Sequence, residues 1–303
     1  MADRAEQIGS IELVAECLCK AHRFATQIPR SSLPLSSVYC HCDSCRRVTG
    51  ALYSAYLPWP GSRSSIHESI RTSSLHRYEF APSITLLSCG TCSSTMFVET
   101  AGGGEDSHIP NYGVTTGVLH NIDVSKSSSN FIDIAHHIFV ADTKDGGATP
   151  WLCDSNSSSA PRPRLWSGHK DTEEFSSTER KWPLPLNTPP PNETPVRCHC
   201  GGVDLVLRNP IPYFAAMNRS ELPWFIDPSS NKSLGGFDVC DSCRLSSGVD
   251  VFHWTFVLLQ HLSFAVPKSS SSHLQTSQAP FPTSSTDLKS ASRRPTAILA
   301  GAH

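Results

Sequence analysis

Between Val14 and Leu152 the apolar residues come in short runs that alternate with polar ones, as in "ALYSAYLPW" and "SITLLSC", and no stretch keeps a helical period. Alternation over five to eight residues predicts half-buried strands, so this region reads as one mostly β unit. From 153 to 195 the pattern lapses. "SNSSSAPRPR" and "LNTPPPNETP" are rich in Ser and Pro and poor in branched apolar residues, too little to offset the entropy of ordering, and the stretch reads as a linker. A second patterned unit runs from 196 to 267, and the tail, 268 to 303, reads as disordered. The longest apolar run, "WTFVLLQHLSFAV" from Trp254, is interrupted by Gln260 and His261 and is too short to span a bilayer.

The two units are related. "CLCKAHRF" (Cys17 to Phe24) resembles "CHCGGVDL" (Cys198 to Leu205), and "CDSCRRVTG" (Cys42 to Gly50) resembles "CDSCRLSSG" (Cys240 to Gly248), which makes the second unit an internal repeat of the first.

Composition narrows the function. The 303 residues carry a formal net charge of -2, which offers no general attraction to nucleic acid or anionic membrane. The N-terminus has Asp3, Glu6 and Glu12 where a secretory signal needs an apolar core, so a cytoplasmic or nuclear protein is expected. In a reducing compartment thiols stay free for metals. Eleven of the 12 cysteines fall in CxC or CxxC spacings, and only Cys153 stands apart, as a small semi-buried apolar residue.

In the first unit the thiols are Cys17 and Cys19, then Cys40, Cys42 and Cys45, then Cys89 and Cys92. Four plus three is the natural division between two zinc ions. The pairs Cys17/Cys19 and Cys89/Cys92 complete a closed tetrahedron, a structural staple between distant segments. The triplet leaves one coordination position open. Three thiolates weaken zinc as an acid toward water, so a soft sulfur ligand suits that position better than hydrolysis does. The competing arrangement is a single structural cluster of all seven cysteines with His41 as an extra ligand. Because His41 sits between two ligands, a packing or supporting role is the expectation for it.

With "CLCKAHRF", "VYCHCDSCRRVTGA", "LSCGTCSSTMF" and "HHIFVADTKDGGATPWL", the chain resembles the glutathione-dependent formaldehyde-activating enzyme family, which includes centromere protein V. The resemblance covers residues 14 to 152 well and 196 to 256 partially. It implies a zinc-pinned, mostly β fold, a structural zinc on Cys17, Cys19, Cys89 and Cys92, and a catalytic-type zinc on Cys40, Cys42 and Cys45. It also implies a carbon-sulfur lyase activity on the adduct of glutathione, or another small thiol, with formaldehyde or another small aldehyde.

Glutathione carries two carboxylates, so a cation near the triplet is expected; Arg46 ranks first because Arg244 repeats it, ahead of Arg47, Arg23 and Lys20. Two departures stand out. Lys20 occupies a position where family members have glycine, kept as Gly201 in the second copy. Asp238 replaces the counterpart of Cys40, so the second copy cannot repeat the four-plus-three scheme. Its Cys198, Cys200, Cys240 and Cys243 are expected to close around one zinc, the alternative being a mixed site of Asp238, Cys240 and Cys243. Other readings of the chain are a non-catalytic zinc module for protein interaction and a zinc-ribbon nucleic-acid binder. The balanced charge argues against the last.

Overall fold

The computed structural model describes residues 9–103, 107–120, 130–153, 162–175, 191–265 and 296–300. The side chain of Cys153 lies outside the description, as does most of the stretch expected to be linker and tail.

The first unit is mostly β, and its strands follow the alternation in the sequence. β1 (Ser10–Glu16) and β2 (Arg23–Pro29) form an antiparallel hairpin. β3 (Leu35–Cys40) leads into a helix, Asp43–Thr49, and then β4 (Ser54–Pro58). After the helix Arg63–Arg71 come β5 (Leu75–Ala81), β6 (Ile84–Cys89), β7 (Thr95–Thr100), β8 (Asn111–Thr115), β9 (Ile132–Ile138) and the two-residue β10 (Arg164–Leu165). They build one eight-stranded sheet in the order β10-β9-β3-β4-β8-β7-β6-β5. β9 runs parallel to β3, and β10 parallel to β9; the other neighbours are antiparallel. Leu13 and Ala15 of β1, Phe24 and Ile28 of β2, and Ile66 and Ile70 of the second helix pack with Leu87, Phe97 and Val114 in the main core, which also takes in Cys17 and Cys89.

Two boundaries depart from the sequence expectation. Leu165 and Trp166, in the presumed linker, are buried, and Trp166 exchanges backbone hydrogen bonds with His137 and Val140 at the sheet edge. An open edge accepts any extended segment through its backbone, so two apolar residues in a Ser/Pro-rich stretch suffice to dock it. The second difference is larger. The segment Asp238–Phe252, with the second "CDSC" motif on the helix Asp241–Ser247, belongs to the first compact unit. Arg244 donates to the carbonyl oxygens of Gly117 and Leu119 at 2.9 and 2.7 Å. Gly117 permits this closeness, since a Cβ there would lie 2.5 Å from the Arg244 oxygen.

Asp250 of the same segment accepts hydrogen bonds from the buried Tyr39 and from Tyr53 Oη at 3.1 Å, beneath their stacked rings. Asp250→Ala takes the shared acceptor from both phenols and is expected to destabilise the first unit by about 2–4 kcal/mol, with Asp250→Asn milder. A denaturant titration of the two variants measures this.

The second unit contains β11 (Glu193–Arg197) and β12 (Asp204–Arg208), which pair with each other, and the short helix Ile211–Ala215. β13 (Gly235–Asp238) and β14 (Phe252–Leu258) begin or end at its borders, and β15 (Leu262–Phe264) adds to β12. β16 (Thr296–Ala300), in the stretch expected to be disordered, pairs antiparallel with β14. Phe214, Phe225, Ile226 and Leu258 form the core of this unit.

His261 is buried with its ring 5.0 Å from that of Tyr213 and 5.7 Å from that of Phe214. Desolvation, then the charge of Arg208, lowers its pKa. The unfolded chain therefore binds a proton that the folded unit resists, and stability is lost as pH falls below the ordinary histidine value of about 6.5. Hydrogen-exchange protection factors in β12 and β15, corrected for the intrinsic pH dependence of exchange, are expected to fall below that pH, and His261→Phe to remove this component.

Candidate metal centres and cavity

The structure gathers the first unit's seven cysteines into two groups, in each of which all sulfurs lie within 4.8 Å of one another. In one, Cys17 follows β1, Cys19 lies in the turn toward β2, Cys89 ends β6, and Cys92 sits in the turn to β7. Cys17 and Cys89 sulfurs each lie 3.6 Å or less from a partner: Cys17 to Cys19 is 3.6 Å and Cys19 to Cys89 is 3.6 Å. A tetrahedron with zinc–sulfur bonds of ~2.3 Å has edges of ~3.8 Å, so the spacing fits one ion. Backbone amides of His22 and Thr91 point at Cys17 and Cys89 sulfurs, at 3.3 and 3.4 Å, as suits thiolates. Cys92 is lowered to about 6: partial desolvation raises it, but hydrogen bonds from Ser94 and from the Cys19 backbone outweigh that.

The turns around these sulfurs have a backbone cost. Lys20 has φ 65°, the left-handed region, where its counterpart Gly201 has φ 76°. The departure noted in the sequence is thus accommodated by a lysine in a conformation that glycine adopts more readily.

In the other group, Cys40 is the last residue of β3, Cys42 caps the helix Asp43–Thr49, and Cys45 lies in its first turn. The Cys42 sulfur accepts from the Cys45 amide at 3.3 Å. Hydrogen bonds from Cys40 and Cys45 hold the Cys42 thiol down, to about 3, whereas the crowding of three sulfurs, with burial, pushes Cys40 up. Such a donor set is deprotonated most readily by a cation shared among all three, and it fits a soft divalent metal. Among the described residues no fourth Cys, His, Asp or Glu joins this group.

His41 points away from the sulfurs. It is fully buried, with Nε2 2.8 Å from His137 Nδ1 and Nδ1 3.3 Å from Thr149 Oγ1, and burial lowers its pKa well below the ordinary range. The buried His41 ring, bridged to His137, therefore supports the loop carrying Cys40 and Cys42. His137 went unassigned in the sequence reading, although it stands in the quoted "HHIFV" stretch.

Arg46 corrects an expectation. Its guanidinium is buried and meets Asp145 through two contacts, 3.1 and 2.5 Å, so its charge is matched within the protein and it does not line the cavity beside the triplet. Arg47 pairs with Asp43 and Arg23 with Glu12.

In the segment expected to be a second copy, the mixed arrangement is the one that comes together. Asp238, Cys240 and Cys243 lie within 4.8 Å of one another, while Cys198 and Cys200, 3.2 Å apart in the second unit, join no such cluster among the described residues. The expected closed site of four cysteines is thus replaced by three donors. Cys240 caps its helix at φ -65°, ψ 151°, close to the -64°, 150° of Cys42, so the two "CDSC" motifs share their local geometry.

Cys40, Cys42 and Cys45 all line a cavity of about 290 Å³. Tyr56, Phe80, Leu86 and Val98 from the sheet line it too, with Ser247, Gly248 and Val249 from the end of the helix that carries the second "CDSC" motif. These lining residues were not legible in the sequence, since no motif marks them. Burial, followed by the nearby sulfurs, raises the Tyr56 pKa, so the phenol stays protonated.

No described helix is long and apolar enough to cross a membrane. The family model described as glutathione-dependent formaldehyde-activating enzyme matches residues 12–142, a stretch that contains all seven cysteines of both first-unit groups. No curated protein matches the chain.

Proposed function

We propose that the first unit is a zinc-dependent carbon-sulfur lyase-type enzyme that makes and breaks the adduct of a small thiol with an aldehyde. Glutathione and formaldehyde are the pair named by the matching family, and S-hydroxymethylglutathione is the corresponding product. The observation that carries the reading is the triplet Cys40, Cys42 and Cys45, three sulfurs gathered at the wall of a cavity large enough for a ligand. In this reading a second zinc on Cys17, Cys19, Cys89 and Cys92 is structural, and Asp238, Cys240 and Cys243 form a further, weaker metal site.

In the forward direction the thiol sulfur bonds to the carbonyl carbon, and the proton released from sulfur ends on the former carbonyl oxygen, with no change in overall oxidation state. Zinc held by the triplet supplies an electrophilic position for sulfur or oxygen. The chain's own contribution is placement and exclusion of water: Cys42 on its helix and Cys40 on its strand are rigidly set, and Tyr56 presents a phenol that keeps its proton on Oη.

Cobalt substitution tests the reading. Titrating the cobalt-loaded chain with glutathione is expected to change the metal-thiolate absorption, because a fourth sulfur enters the coordination shell. An unchanged spectrum at millimolar glutathione contradicts it.

A further inference from the structure

Formaldehyde contributes one carbon, and the cavity beside the triplet is far larger and of a different character. Its volume is about 290 Å³, and among the described residues no Lys, Arg, Asp or Glu lines it. Phe80, Ile84, Leu86, Val98 and Val249 give it apolar walls. Two of its hydroxyls are spent inside the protein: Thr49 donates to the Cys45 carbonyl oxygen at 2.9 Å and Thr115 to that of Thr95 at 2.6 Å. A one-carbon aldehyde would leave most of this space to water against hydrocarbon, an unfavourable filling.

We infer that the aldehyde partner carries a hydrocarbon chain of several carbons, and that this chain occupies the cavity; the inference rests on the thiol–aldehyde reading above. Among the described residues the lining holds no Lys or Arg and a single His, His169, packed edge-on against Phe139, and Arg46 is already matched by Asp145, so the charged arms of the thiol belong outside. What remains to enter is the substituent on the aldehyde carbon. The reaction is the same addition: the carbon-sulfur bond forms, the carbon-oxygen double bond becomes single, and the sulfur's proton passes to that oxygen, giving a thiohemiacetal.

The second copy takes part in this selectivity. Val249 is fully buried, and Gly117 donates its amide to the Gly248 oxygen at 3.0 Å, so that side of the wall is held by the backbone rather than by a mobile side chain. The segment after Asp238 thus has a duty of its own: it shapes the cavity beside the triplet.

Stable thioethers separate this inference from the reading it builds on. The zinc-loaded full chain is titrated calorimetrically with S-methylglutathione and S-hexylglutathione, which share every charged group and differ only in hydrocarbon. Each methylene that enters an apolar site strengthens binding about fourfold, so S-hexylglutathione is expected to bind at least about a hundredfold more tightly. Val98→Phe and, separately, Ile84→Phe fill the cavity and are expected to shrink that ratio to about tenfold or less, with zinc content as the check on folding. Equal binding of the two thioethers overturns the inference and leaves the thiol reading standing, and so does an undiminished ratio in both zinc-replete variants. Binding of neither thioether overturns both.

Discussion

Cys89→Ser is expected to cost the first unit its cooperative fold. Cys89 ends β6 inside the main core, beside Leu87 and Phe97, and its sulfur lies 3.6 Å from that of Cys19, which ties the β1–β2 hairpin to the β6–β7 turn. An ion on those four sulfurs, as proposed, would add to the core contacts of a two-stranded hairpin that is not stable alone. Structural zinc sites have apparent binding free energies of about 10–16 kcal/mol in peptides, as large as the whole stability of an ordinary domain, about 5–15 kcal/mol. A buried hydroxyl in place of the thiolate also lacks the softness that zinc selects. Circular dichroism melts should show loss of the main transition, and metal analysis should show one zinc equivalent fewer. A variant that keeps both its transition and its full zinc content would remove the structural role from this group.

Cys42→Ser is expected to do the opposite: to spare the fold and abolish the chemistry. Cys42 caps the helix Asp43–Thr49 through its sulfur, and serine is among the best residues at a helix N-cap, so the helix keeps its first hydrogen bond. The soft donor is lost. Electrophilic assistance by a metal contributes several kcal/mol, so thiol–aldehyde exchange should fall by about three orders of magnitude or more, while the melting transition shifts little. Exchange measured by NMR on the glutathione–aldehyde adduct, with zinc content on the same sample, distinguishes the cases. Collapse of the fold in Cys42→Ser would mark the triplet as structural and withdraw the catalytic proposal. The contrast between Cys89 and Cys42 is therefore sharper than either result alone.

How much was legible beforehand follows the range of the interactions. Alternating apolar positions marked the strands, because side-chain direction in a strand is set by adjacent residues. The departure at Lys20 was legible only through the family resemblance, which implies glycine there, and the structure gives Lys20 a left-handed φ of 65°. Arg46 was misjudged because charge alone suggests solvent or substrate, whereas its partner, Asp145, lies far along the chain. Leu165 and Trp166 were lost in the average of a Ser/Pro-rich stretch, although burial depends on where two residues land rather than on their neighbours' composition.

By itself, then, the sequence determined the β character and the pairing of sulfurs into tight local groups, since CxC and CxxC spacings bring thiols within reach through one or two turns of backbone. Only the tertiary structure decided that the second "CDSC" segment serves the first unit, that Asp238 rather than Cys198 and Cys200 completes its donor set, and that the triplet opens on an apolar cavity. Each of those outcomes depends on side chains brought together from segments distant in the chain, and no local pattern encodes such a meeting.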